Sequence, residues 1–136
     1  MKKKTTVIDA SVLLTALIGI KNTIGENLRR LLQDKSQNVI TLPFAAIEYA
    51  NGIRFSLRDT TLAHDALEAY GKLQLGMSDF TFDDVKATLD LSYRCGTTAY
   101  DTAYHHVALL FDGTFITCDK DYYQKASHLG HIQFWD

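Results

Sequence analysis

The sequence predicts an α/β fold, a mostly parallel and roughly five-stranded sheet with helices on both faces. Three observations predict it. Short apolar runs recur at 5–8, 39–42 and 114–118, each bounded by turn or helix-start residues. Segments with helical spacing separate them, and strands alternating with helices imply a parallel sheet covered on both sides. A length of 136 residues, with one proline and eight glycines, suits one domain over 1–136 with a sizeable core and no linker or repeat.

Residues 5–8 read as a short buried strand. A helix over 10–20 follows, with Asp9 at its N-cap. A second helix over 26–34 places Leu28, Leu31 and Leu32 on one face. A strand over 39–42 leads to Pro43, suited to the first turn of a helix carrying Phe44, Ile47 and Glu48 to about Phe55. A helix over 61–75 has Leu62, Ala66, Ala69 and Leu73 at matching spacing. Residues 79–81 read as a third short strand. Thr81 with Asp84 resembles a capping box opening a helix to Arg94, and Thr98 with Asp101 repeats the signal before a helix to Phe111. A strand over 114–118, a helix over 120–129 and a strand over 131–135 complete the order. Right-handed crossovers leave few topologies, and sites in such sheets form beyond the carboxyl ends of strands where the strand order reverses.

Four acids fall at or just after predicted strand ends or near helix starts: Asp9 in V-I-D-A-S, Glu48 in A-I-E-Y-A, Asp101 in A-Y-D-T-A-Y and Asp119 in T-C-D-K-D. Taken singly, each has an ordinary explanation as a helix cap or a solvated charge. Taken together, and with Asp9 and Glu48 in apolar surroundings, they are costly unless they bind something. Several carboxylates in one crevice repel, so a divalent cation is the natural counter-charge, and oxygen ligation suits Mg²⁺ or Mn²⁺. Such an ion activates water and screens a phosphodiester, which points to phosphodiester hydrolysis rather than acyl or hydride transfer. The formal net charge is −2. Setting the four acids aside, 14 basic residues face 12 acidic ones, an excess too small to argue nucleic acid on charge alone.

These four segments resemble the motifs of the PIN-domain ribonucleases, and the length and element order resemble a VapC-type toxin of a toxin–antitoxin pair. The resemblance covers essentially the whole chain. It implies a PIN-like three-layer sandwich with the first and fourth strands adjacent. It also implies a metal-dependent endoribonuclease in which Asp9, Glu48, Asp101 and Asp119 coordinate Mg²⁺ or Mn²⁺ and cleave RNA. Ser11 and Thr117 match hydroxyl positions of the family that orient carboxylates or metal waters, and Asp121 stands as a fifth, peripheral acid. The implied partners are a VapB-type antitoxin and a second copy of the chain in a homodimer. An inhibitory antitoxin segment would place an arginine among the carboxylates and lie on the helices at 10–20 and 26–34, unless those faces pack the core. The alternatives are a stand-alone PIN-domain RNase in RNA processing and a non-catalytic PIN-like binding module, against which the presence of all four acids counts.

Other residues yield bland readings. His105, one turn after Asp101, is a candidate metal partner, but a surface or satisfied core histidine is favoured. Tyr100, Tyr104, Tyr122 and Tyr123 are candidates for stacking on unpaired bases or for the core. Arg54, Arg58, Lys120 and Lys125 are candidate phosphate contacts with solvated charge as the default. No Walker A or dinucleotide fingerprint is present, and Asp9-Ala10-Ser11 lacks the D-x-D of haloacid dehalogenases. Cys95 and Cys118, the two cysteines, form no zinc spacing and read as buried thiols of a cytoplasmic protein. Three lysines before the apolar run 7–20 mimic a signal peptide. Asp9, Ser11 and Thr15 interrupt that run, and it is too short to span a membrane.

Overall fold

Val7 and Ile8 are consecutive in strand β1 (Lys4–Ile8), and both are fully buried. Side chains alternate faces along a strand, so a strand with both faces covered reads as an unbroken apolar run. Val7 packs with Phe115, Ala103 and Tyr104 in one cluster, and Ile8 with Ile116, Val12 and Tyr49 in another. These are the two interfaces of a three-layer sandwich. The computed structural model describes residues 2–19 and 22–136.

The sheet contains β1, β2 (Gln37–Thr41), β3 (Gly76–Met77), β4 (Thr114–Thr117) and β5 (Ile132–Phe134), in the order β3-β2-β1-β4-β5. Every pairing is parallel. β1 is central, with Val7 opposite Ile40 on one side and Phe115 on the other. The chain therefore reverses its direction of travel across the sheet at β1 and β4, the position where a crevice opens.

The helices are α1 (Ala10–Ile18), α2 (Thr23–Gln33), α3 (Ala45–Ser56), α4 (Thr60–Lys72), α5 (Phe82–Cys95), α6 (Ala99–Leu110) and α7 (Lys120–Ala126). The cluster around Ile8 joins β1 and β4 to α1–α4, and the cluster around Val7 joins the sheet mainly to α6 and α7. Gly52 lets α3 lie close on α1, since a Cβ there would come within 2.3 Å of a Leu14 methyl.

Several boundaries differ from the sequence expectation, each for a local reason. The helix expected over 10–20 ends at Ile18, and Ile20 lies outside the described residues. The helix expected from residue 26 begins at Thr23, because Asn22 caps it by accepting the Gly25 N–H at 2.7 Å. Pro43 precedes rather than enters its helix: the Ala45 N–H bonds Leu42 O, and the N-cap is Phe44. The helix expected over 61–75 begins at Thr60 under an Asp59 cap and ends at Lys72, before Gln74 turns to φ 50°.

The strand expected over 79–81 is instead Gly76–Met77, paired with Ile40 and Thr41, while Thr81 is the N-cap of α5. The Thr81–Asp84 capping box is complete. The helix expected over 120–129 ends at Ala126, and a 3-10 turn, Ser127–Leu129, runs to Gly130 at φ 73°.

Candidate active site

Asp9 follows the last residue of β1 and caps α1, its Oδ1 accepting the Val12 N–H at 3.0 Å. It is 4% exposed. Ser11 Oγ donates to the same oxygen at 2.5 Å, and Thr117 Oγ1 donates to Oδ2 at 2.7 Å. Both hydroxyls receive backbone protons in return, Ser11 from Cys118 N at 3.0 Å and Thr117 from Asp119 N at 3.0 Å. Each hydroxyl has one proton to give, so this pattern fixes Asp9 as the acceptor and locks the end of β1 to the end of β4.

Asp119 caps α7 through the Tyr122 N–H at 3.0 Å. Asp101 lies in the first turn of α6, where its N–H bonds Thr98 Oγ1 at 3.2 Å and its Oδ2 accepts from the Thr98 hydroxyl at 3.1 Å. Glu48 lies in the first turn of α3 and accepts from Tyr104 OH at 3.0 Å. All three are half-buried.

The electrostatics tie these groups together. Burial pushes Asp9 up to about 6 against the pull of its three hydrogen bonds, with the Asp101 charge adding to the rise. Burial raises Glu48, opposed by the Tyr104 hydrogen bond and assisted by the charges of Asp101 and Asp9. Burial likewise raises Asp101, with Asp119 and Asp121 contributing. None of the four pairs with a lysine, arginine or histidine among the described residues. The fold therefore gathers negative charge here and leaves it without a cationic side chain.

The donor set, all oxygen and short of positive charge, fits a hard divalent cation. Among the described residues no three acids, histidines or cysteines stand close enough to enclose one ion. An ion placed here would take at most two of these carboxylates directly, with water completing its shell.

The remaining sequence candidates separate clearly. Asp121 is exposed and pairs with Lys125 at 3.2 Å, so its influence on Asp101 acts over distance. His105 is fully buried, with its ring nitrogens 2.8 Å from Tyr122 OH and 2.7 Å from Gly130 O, and burial lowers its pKa. It is a satisfied core histidine. Tyr104 and Tyr122 are buried, Tyr123 is half-buried with its ring 5.7 Å from that of Phe134, and Tyr100 is exposed. The buried faces of α1 and α2, Val12, Leu13, Ile24 and Leu28, pack the core. Sequence reasoning missed Tyr104 as the donor to Glu48; its place three residues after Asp101 was the available signal.

No protein-family model and no curated protein matches the sequence. Solved structures do. The crystal structure of VapBC2 from Rickettsia felis, bound to a DNA fragment from its promoter, matches with a TM-score of 0.72 at 14% identity, over 97% of this chain and 99% of that one. PAE2754 from Pyrobaculum aerophilum gives 0.69 at 19% identity, over 95% and 83%. A toxin–antitoxin complex from Klebsiella pneumoniae gives 0.70 at 12% identity, over 94% and 95%.

The fold is PIN-like. The adjacency of β1 and β4 that the PIN-like resemblance implied is present, and Asp9 and Asp119 follow those two strands directly. Among the described residues no helix is long and apolar enough to cross a membrane.

Proposed function

We propose that this PIN-like chain is a Mg²⁺- or Mn²⁺-dependent endoribonuclease and the toxin of a toxin–antitoxin pair. The observation that carries the reading is the carboxylate cluster: burial and the charges of neighbouring acids raise Asp9, Glu48 and Asp101, and no cationic side chain pairs with them among the described residues. Of Asp9, Glu48, Asp101 and Asp119, one or two would ligate the cation directly and the others would reach it through its waters. When bound, such an ion lowers the pKa of a water and screens the charge of a phosphodiester.

The chain's own groups do the positioning. Ser11 and Thr117 hold the Asp9 carboxylate by both oxygens and favour its ionised form. Tyr104 aims Glu48, and Thr98 fixes Asp101. Hydrolysis forms a bond from the water oxygen to phosphorus and breaks the bond to the 3′ oxygen, which takes up a proton. The products carry 5′-phosphate and 3′-hydroxyl ends, and the 2′-hydroxyl takes no part.

The toxin assignment is supported by the fold shared with VapBC2 and with the Klebsiella toxin–antitoxin complex. It brings with it a small VapB-type antitoxin, a homodimer and a cytoplasmic site of action.

Cleavage of single-stranded RNA by metal-free protein with added Mn²⁺, and by the same protein in EDTA, tests the chemistry. Activity only with the ion, leaving 5′-phosphate ends, is the expected result. Full activity in EDTA, or 2′,3′-cyclic phosphate products, would overturn it. Growth arrest on expression, relieved by the small gene next to it, tests the toxin role; a harmless wild-type protein that binds no such partner leaves only the nuclease.

A further inference from the structure

We infer that the cavity between α3 and the start of α6 is a nucleobase subsite in which Tyr100 stacks on an unpaired base and Asn51 contacts its edge. This rests on the nuclease reading and names the part of the substrate that the same site grips. The cavity measures about 660 Å³ and is lined by Ile47, Glu48, Ala50, Asn51 and Tyr100. That volume falls within the usual range for a small-molecule site.

Two linings belong to or adjoin the carboxylate cluster: Glu48 is shared, and Tyr100 directly precedes Asp101. A phosphodiester at the carboxylates therefore brings a neighbouring base to this cavity. The cavity also has the right surfaces. Ile47 is 70% exposed and Tyr100 69%, so both offer apolar surface to a ligand in the cavity. The Tyr100 ring is steadied by an edge contact with Phe44, centroids 6.4 Å apart, so it is placed without being covered.

Asn51 lies one turn after Ile47 and Glu48 on α3, and its amide makes no hydrogen bond to protein among the described residues. An amide offers both a donor and an acceptor to a base edge. Arg54, three residues further, lines an adjoining cavity that shares Ala50 and has no carboxylate partner among the described residues. Its guanidinium rests over the neighbouring Phe55 ring, 5.6 Å from the centroid, on the same helix as Asn51. Unpaired bases are gripped in this way, by an aromatic face, an edge contact and a nearby cation.

The test is binding and cleavage of a short single-stranded RNA, alongside the same RNA with single abasic positions near the cleaved bond. Binding is read in Ca²⁺, and cleavage in Mn²⁺. Wild-type protein should lose about tenfold in affinity at one abasic position, the scale of a single stacked base. Tyr100→Ala should bind intact RNA about tenfold more weakly and no longer distinguish the abasic form, while Tyr100→Phe keeps both properties. Asn51→Ala should relax the preference among bases at that position.

Cleavage by wild type with unchanged affinity and unchanged abasic discrimination in Tyr100→Ala would overturn the subsite and leave the nuclease standing. Wild-type protein that neither cleaves nor binds RNA would overturn both. Tyr100→Ala that binds RNA normally but changes the oligomeric mass would show the face to be a contact between copies, and would also overturn it.

Discussion

Replacing Asp9 by asparagine removes the activity proposed here, and it should also make the metal-free protein more stable. The folded-state pKa is raised from 3.8 to about 6, chiefly by burial. A raised pKa means that the native state holds the proton more tightly than the unfolded chain. The stability this contributes is complete below pH 3.8 and is lost as the pH rises through 6. At roughly 1.4 kcal/mol per unit, ionised Asp9 costs the fold up to about 3 kcal/mol above that window. Asparagine cannot ionise. Its amide can donate to a hydroxyl that now accepts, at a cost of about 1 kcal/mol for the altered bonds.

The readout is the stability gap between Asp9→Asn and wild type in EDTA, by thermal or urea unfolding from pH 4.5 to 7.5. It should widen in favour of the variant by about 2 kcal/mol, roughly 8 °C in Tm for a chain of this size. Titrations common to both proteins cancel in the gap; the neighbours Glu48 and Asp101, which interact with Asp9, reduce it somewhat. Added Mg²⁺ should then stabilise wild type at pH 7.5 and leave the variant little changed, because a ligand stabilises only the state that binds it. A gap constant across this range would refute the claim that Asp9 is held ionised at a cost.

Three further substitutions test the surroundings. Thr117→Val removes the 2.7 Å donor to Asp9 and the acceptor for the Asp119 N–H, and should lower RNA cleavage by about 10- to 100-fold at saturating metal with the fold retained by circular dichroism. Thr88→Val should raise stability by about 1 kcal/mol in urea unfolding, since the buried Thr88 hydroxyl has no hydrogen-bond partner among the described residues. Gly113→Ala should destabilise by about 2 kcal/mol, because its Cβ would fall 2.3 Å from the Thr5 carbonyl where β4 meets β1; Gly71→Ala in α4, with open space, should be neutral or mildly stabilising.

The legible parts of this sequence were those where burial and capping coincide. β1 and β4 read as strands because both faces of each are covered, and Asp9 after β1 stood out against apolar neighbours. The capping box at Thr81 was visible because its partners are three residues apart. β3 was misplaced because two residues, one a glycine, carry no periodic pattern; the pairing with β2 alone defines it. Asn22 was missed because its side chain serves two helices at once, taking the Thr15 and Ala16 carbonyls of α1 and capping α2. At the site, Ser11 and Thr117 were singled out by the resemblance to the PIN-domain ribonucleases. The Tyr104–Glu48 bond joins residues 56 apart, and only the docking of α6 beside α3 reveals it.

In the proposed enzyme the carboxylates at the ends of β1 and β4, with those at the starts of α3 and α6, form one cation-dependent hydrolytic centre. Single-turnover RNA cleavage by wild type and Asp101→Asn, across a Mn²⁺ titration, tests it most directly. Asp101 is half-buried at a helix start, so asparagine keeps the cap and the fold, which matching unfolding curves would verify. Cleavage should rise with Mn²⁺ in wild type and be at least about 100-fold slower in the folded variant, the scale of one transition-state electrostatic contact. Equal rates in the two proteins, with the same dependence on Mn²⁺, would contradict it.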